Sequence, residues 1–244
     1  MRCPRIYTEQ TLRANESVQL ETQASQHVAR VLRMQVGERL VLFNGGGGQY
    51  PGTISAANKK AVVVATGDHA AIEVESKLRL HLGIAISRGE RMDWIVQKAT
   101  ELGASSISPL LSERTEVRLK GERANRKLRH WQQVAISACE QCGRNRLPEI
   151  QSLQSLDQWV REVSADTRLV LHHRAGPADN SERSPTSAAL LVGPEGGLSG
   201  VEIDTAQQAG FQPLQLGPRV LRTETAPLAA IAILQARWGD MAEI

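Results

Sequence analysis

The sequence predicts an α/β domain preceded by a small β-rich one, and three observations carry that reading. From about residue 75 onward, strand-like and helix-like apolar segments alternate, the pattern of a parallel sheet with crossover helices. Before that point, short strand-like runs are broken by Gly and Asn turns. A hydrophobic content of 41% over 244 residues suffices to bury the cores of two modest domains. The division falls between residues 1–74 and 75–244.

In the first segment a short helix is expected around Gln26–Leu32, carrying His27, Arg30 and Arg33 nearby. His27 reads as structural. "GERLVLFNGGGGQYPGTISAANKKAVVVAT" gives two or three strands. The Gly45–Gly48 run lacks the Gly-Lys-Ser/Thr ending of a phosphate loop and precedes a strand, so it reads as a hairpin turn.

After "EVESK" the period changes. "LRLHLGIAI" reads as a strand, "GERMDWIVQKATELG" as an amphipathic helix and "SSISPLL" as a strand. Met92, Ile95, Val96, Ala99 and Leu102 share one helical face, and Gly103 marks the stop. Lys98 and Glu101 are spaced for a local ion pair. A long helix is expected from Arg123 to Cys142, ending at Gly143. "TRLVLHH", "AALLVG" and "FQPLQLG" read as strands, with the polar loop "RAGPADNSERSPT" between the first two. Ser199 followed by Glu202 matches a capping box. The final helix is apolar at Leu228, Ile231, Leu234 and Trp238.

Composition excludes several classes. No apolar run reaches the roughly 18 residues of a membrane span, and "MRCPRIYTEQ" lacks a signal peptide's apolar core. The reading is a soluble, cytoplasmic chain with no membrane partner. Cys139 and Cys142 form a lone C-x-x-C without a second pair to complete a zinc site, so no metal is expected. The motif also lies late in a helix, not after a strand as a thioredoxin-like pair would. Net charge is only +3, but Arg114–His130 holds seven Lys/Arg against two acids. That run is either a solvated face or a phosphate-contacting patch. Aromatic residues at 3% argue against a base-stacking platform.

Two loops concentrate the chemistry, and both follow strands. "VGPEGGLSG" holds four glycines and a buried-looking acid, Glu195. Glycines let backbone approach a ligand closely, and ligands of open α/β sheets bind beyond the carboxyl ends of strands. The bland alternative is a tight turn before a capped helix. The G-x-G-x-x-G dinucleotide fingerprint is absent, against a nicotinamide-dependent dehydrogenase. "LGPRVLRTET" enters the last helix. Thr223 or Thr225 can cap it, and Pro227 is tolerated in its first turn. Capping leaves Arg219, Arg222 and Glu224 over, although Glu224 also suits the helix dipole.

"GPEGGLS" followed by "LGPRVLRTETA" resembles the RsmE family of 16S ribosomal RNA methyltransferases, of the SPOUT class. "PRIY", "HVARVLR", "RMDWIVQKATELG" and "CEQCGRNRLPEI" stand in the family's order, so the resemblance spans nearly the whole chain. Leu198, Gly200 and Pro227 depart from the family's pattern. The resemblance implies a trefoil-knotted, parallel-sheet methyltransferase domain after a PUA-like β-barrel that binds RNA. It implies S-adenosyl-L-methionine as cofactor, 16S rRNA or the small ribosomal subunit as partner, and a homodimer using the last helix and the Arg123–Cys142 helix. The implied reaction is methylation of a uridine at N3; the alternative is a non-catalytic ribosome-assembly factor of the same fold.

The resemblance also implies roles. Cofactor contacts fall on Leu171 and His172, on Gly193, Glu195, Gly196 and Gly197, and on Leu216, Gly217, Leu221, Arg222, Thr223 and Thr225. Arg222, Glu224 and Arg5 are the catalytic candidates, Arg222 as the cation facing a uracil anion. RNA contacts fall on Arg2, Arg5, Arg30, Arg33, Arg123, Arg126 and Arg144.

Overall fold

The computed structural model describes residues 3–58, 61–117, 119–172 and 184–241. They form two compact units, Met1–Glu75 with Ile136–Leu147, and Ser76–Ala135 with Pro148–Ile244. Arg2 and His173, and most of the loop expected between the "TRLVLHH" and "AALLVG" strands, lie outside the described residues.

The first unit is a five-stranded sheet. Its strands are β1 (Arg5–Tyr7), β2 (Ser17–Gln19), β3 (Arg39–Phe43), β4 (Tyr50–Ala57) and β5 (Val62–Thr66). They pair in the order β1-β3-β4-β5-β2, antiparallel except for β1 on β3. Alternate residues turn inward, so Leu40 and Leu42, Ile54, and Val62 and Val64 form one core with Ile6 and Val28. The expected helix is α1 (Thr22–Gln26) continued by a π-helical turn at His27–Val31. Arg5, Arg144 and Asn145 meet inside this unit.

The second unit is an all-parallel sheet. Its strands are β6 (Arg79–Ala85), β7 (Ala104–Leu111), β8 (Glu149–Ile150), β9 (Gln154–Ser155), β10 (Thr167–Leu171), β11 (Ser187–Val192) and β12 (Gln212–Leu214). The order is β12-β10-β11-β6-β7-β8, with β9 also on β7. Helices α2 (Arg91–Glu101), α3 (Gly121–Cys142), α4 (Leu156–Glu162), α5 (Gly200–Gln208) and α6 (Thr225–Trp238) flank the sheet, the last turns of α3 being counted with the first unit. Every residue of β11 is buried, as suits a strand covered on both faces. Leu190 joins a core with Ile95, Trp131 and Ile231 of α2, α3 and α6. Its neighbours Ala189 and Leu191 join another with Trp159 and Ala206 of α4 and α5.

Local expectations hold in detail. The α2 face buries Met92, Ile95, Val96 and Ala99, and Gly103 ends the helix region at φ +84°. Lys98 Nζ bonds Glu101 at 2.8 Å. The Ser199–Glu202 capping box forms in both directions. The α6 start differs from expectation. Its N-cap is Glu224, not Thr223 or Thr225, and the Glu224 side chain makes no cap bond. The backbone does the work: Thr225 N–H and Ala226 N–H both donate to the Arg222 carbonyl at 2.9 Å.

Two buried details lock the second unit. Gln235 is fully buried, accepting from Ser76 Oγ at 2.6 Å and donating to the Leu102 carbonyl at 3.0 Å. It ties α6 to the segment that leads into β6 and to the end of α2. On the other face, the Trp159 ring lies so close to β6 that a Cβ on Gly83 would stand 2.6 Å from its carbons. Among the described residues no helix is long and apolar enough to cross a membrane.

Gly83→Ala should destabilise the fold by about 2 kcal/mol, because a methyl group there overpacks a ring with nowhere to move. Urea unfolding should show a lower midpoint at unchanged slope; an unchanged midpoint would mean Trp159 yields freely.

Candidate functional site

Three strands end side by side. Leu214 closes β12, Leu171 closes β10 and Val192 closes β11, and Leu171 is in register with Leu214. His172 N–H extends the pairing by donating to the Leu214 carbonyl at 3.1 Å. Beyond these ends the chain forms an open-mouthed cavity of about 170 Å³. It lies beyond the carboxyl ends of parallel strands, where ligands of open α/β sheets bind.

Its walls are apolar: Leu171, Val192, Leu198, Leu214, Leu216 and Leu221. Glu195, Arg219 and Thr223 add polar side chains. Of the residues expected at a cofactor, Leu171, His172, Gly193, Glu195, Gly197, Leu216, Gly217, Leu221 and Thr223 line it. Gly196, Arg222 and Thr225 do not. Gly196 borders a neighbouring hollow with Arg114, and a Cβ placed on it would meet the Arg114 side chain at 3.4 Å. Leu214 and Ala226 line the cavity outside the loops that sequence reasoning singled out. Leu214 carried a usable signal, its place at a strand end matching that of Leu171.

Glycine is required here for two reasons. A Cβ on Gly193 would lie 2.9 Å from Leu198 Cγ and 3.0 Å from its backbone nitrogen, so the loop folds back only without a side chain. Gly197 and Gly217 hold φ of +68° and +85°, the left-handed region.

Glu195 is not the buried acid expected. It is partly exposed, and its carboxylate accepts from Arg88 N–H at 3.1 Å and from Arg91 Nη1 at 2.8 Å. Partial burial alone would raise its pKa. Its own backbone N–H, that of Arg88, and Arg91 outweigh this and hold the pKa below the ordinary value. Arg114 braces the same loop, donating to the Gly196 carbonyl at 2.8 Å. Arg91 also reaches Glu224, Nε to Oε2 at 3.8 Å, and the other Glu224 oxygen lies 3.9 Å from Arg222 Nη1. The Arg222 side chain is 83% exposed. Neither Arg91 nor Arg114 was expected at the site; their partners lie 104 and 82 residues away, so no local pattern marks them.

The remaining nominees are scattered. In the first unit Arg30 and Arg33 are exposed, while Arg5 donates to Gln49 Oε1, Asn145 Oδ1 and the Arg144 carbonyl. Arg144, expected to face RNA, is 4% exposed and gripped by both oxygens of Glu75 at 3.0 and 2.6 Å. A guanidinium so enclosed faces its partner carboxylate, not solvent. Arg123 and Arg126 are exposed on α3. The Cys142 side chain, hydrogen-bonded to Cys139, and burial push the Cys139 thiol far up, which leaves it protonated and unreactive.

The profile of a family described as "RNA methyltransferase domain" matches residues 74–235, and one described as "RNA methyltransferase PUA domain" matches residues 20–66. The chain belongs to the RsmE family of RNA methyltransferases. An RsmE-family relative named ribosomal RNA small subunit methyltransferase E, from Buchnera aphidicola, is 36% identical over 98% of both chains. A methyltransferase from Legionella pneumophila, solved with bound S-adenosylmethionine, superposes with a TM-score of 0.94 at 43% identity, over 98% of this chain and 100% of that one. Ribosomal RNA small subunit methyltransferase E from Neisseria gonorrhoeae, bound to S-adenosylmethionine, gives 0.93 at 38%, over 99% and 100%. The small antiparallel unit and the parallel sheet are thus the two parts of the RsmE-family fold.

Glu195 sets a pH dependence. Its folded pKa is depressed, so its contribution to stability is present above the unfolded value near 4.5 and fades as pH falls through the folded value. The stability difference between wild type and Glu195→Gln should therefore be largest near neutrality and vanish in acid. A pH-independent difference in thermal unfolding would contradict this.

Proposed function

We propose that the protein is an S-adenosylmethionine-dependent methyltransferase that modifies N3 of a uridine in 16S ribosomal RNA. The observation that carries this reading is the leucine-walled cavity at the ends of β12, β10 and β11, in a chain whose family relatives include two solved with that cofactor.

The residues present fit the cofactor. Leu171, Leu214, Leu216 and Leu221 offer apolar surface for an adenine ring. Gly193, Gly197 and Gly217 keep the walls free of side chains, so that backbone N–H and C=O groups can read ribose and base edges. Glu195 and Thr223 add polar contacts. When bound, S-adenosylmethionine supplies an electrophilic methyl group on a sulfonium.

The acceptor, a uridine N3, must lose its proton. Arg222 presents an exposed guanidinium beside Glu224, next to cavity residues Leu221 and Thr223. A fixed cation there would stabilise the uracil anion. Glu224, held between two arginines, would keep that cation in place. Arg5 would contribute through the first unit. Arg30 and Arg33, together with Arg123 and Arg126, would bind RNA phosphates, with Arg2 at the terminus.

The same reading treats residues 1–74 as a PUA-like RNA-binding domain and 75–244 as a knotted methyltransferase domain. It includes a cytoplasmic location and a homodimer. An α6 that leaves Ile233 half exposed supports the last.

Arg222→Ala should bind S-adenosylmethionine within about twofold of wild type while methyl transfer falls by about a hundredfold or more, the scale of one lost electrostatic stabiliser. Calorimetry and mass spectrometry of 16S rRNA from cells lacking the protein, complemented with each form, decide it. Equal loss of binding and turnover would move Arg222 to the cofactor, and no cofactor binding by wild type would remove the enzyme reading. Separately, Arg123→Glu with Arg126→Glu should weaken RNA binding and flatten its salt dependence by about 1.8 in log–log slope, if both residues neutralise phosphates. An unchanged slope would return that face to plain solvated surface.

A further inference from the structure

We infer that Arg91 is a positioning residue that couples the loop Gly193–Leu198 to the segment Arg222–Thr225. The inference rests on the proposed function, since it gives these two segments cofactor-side and acceptor-side roles.

Arg91 does not line the cavity, yet its guanidinium stands between carboxylates that belong to both segments. Nη1 is 2.8 Å from Glu195 Oε1, and Nε is 3.8 Å from Glu224 Oε2. Glu195 comes from the loop after β11 and Glu224 from the N-cap of α6. Without a cation between them, two carboxylates turned toward one spot would repel and each loop would drift. With it, the order is Glu195, Arg91, Glu224, Arg222, which runs from the cavity lining to the exposed cation.

The fork is held from behind. Arg91 opens α2, whose next residue, Met92, is 1% exposed in the core. Asp93 in the same turn accepts from Trp131 Nε1 at 3.0 Å and pairs with His130 Nε2 at 2.7 Å, pinning α2 to α3. Arg88 N–H grips the same Glu195 oxygen from the preceding turn. An ion pair as exposed as this one contributes little to global stability. Its consequence is geometric: displacement of Glu195 by a ligand in the cavity is transmitted through the planar guanidinium to Glu224 and thence to Arg222. Lysine keeps the charge but, as a single ammonium, lacks the separate Nη1 and Nε that stand toward the two carboxylates.

The test is a double-mutant cycle on Arg91→Ala and Glu195→Gln, with Arg91→Lys as the conservative variant. S-adenosylmethionine affinity is read by calorimetry and kcat by methyl transfer to 16S rRNA. Arg91→Ala should lose about tenfold in each, at an unchanged melting temperature, the scale expected when a positioning group is lost. The double variant should be no worse than the poorer single one, and Arg91→Lys should recover affinity more than kcat. Additive losses, or wild-type values for Arg91→Ala, would overturn the coupling. Should wild type bind no cofactor, the proposed function falls instead, and hydrogen exchange of the ligand-free protein judges the coupling alone. Arg91→Ala must then speed exchange in both Gly196–Leu198 and Thr225–Ala226; unchanged exchange in either segment overturns it.

Discussion

The site depends on β10 being paired on both edges. In sequence the strands run β10, β11, β12, but in space β10 lies between the other two. The chain passes inward to β11, then returns across β10 to the edge strand β12. That reversal brings together the segments that follow Leu171, Val192 and Leu214. It is the kind of switch point at which open parallel sheets bind ligands. A slip of one residue in β12 would break the match of Leu171 with Leu214 and turn alternate side chains to the wrong face. The cavity is therefore a property of register before it is a property of any side chain.

Helix α2 converts that register into a charged framework. Its buried face fixes it to the sheet through Met92, Ile95 and Val96. Its first turn spends its polar residues on neighbours: Asp93 on α3 and Arg91 on the two site loops. The core sets where the guanidinium stands, and the guanidinium sets the loops. Arg114 does the same from the far side, bonding carbonyls of Gly196 and Leu198. Loops rich in glycine have much conformational entropy to lose. Bracing by two arginines limits that loss before a ligand arrives.

Much of this was legible in the sequence because it is local. Helical spacing marked the buried face of α2, glycine marked its end, and Ser199 with Glu202 marked the start of α5. Two-residue strands β8 and β9 and the short α4 were not marked, because β8 and β9 exist only through pairing with β7. Glu195 looked buried among glycines and proline, but its partner stands 104 residues earlier. Arg144 is expected to contact RNA, yet Glu75, 69 residues away, encloses it. Glu195 and Arg144 each pair with a charge distant in the chain, and pairing of that kind leaves no period, cap or turn signal to read.

The start of α6 shows how a polar run can mislead and still be informative. Thr223 and Thr225 are the expected caps, but the N-cap is Glu224, whose side chain makes no cap bond; the Arg222 carbonyl accepts the first amides instead. Relieved of capping, Glu224 is free to face Arg91 on one oxygen and Arg222 on the other. A carboxylate there also suits the positive end of the helix dipole. The excess of polar groups over what a cap requires thus has a physical use. A side chain engaged in closing its own helix could not also span two arginines, so the backbone turn at Arg222 is what leaves Glu224 available to the site.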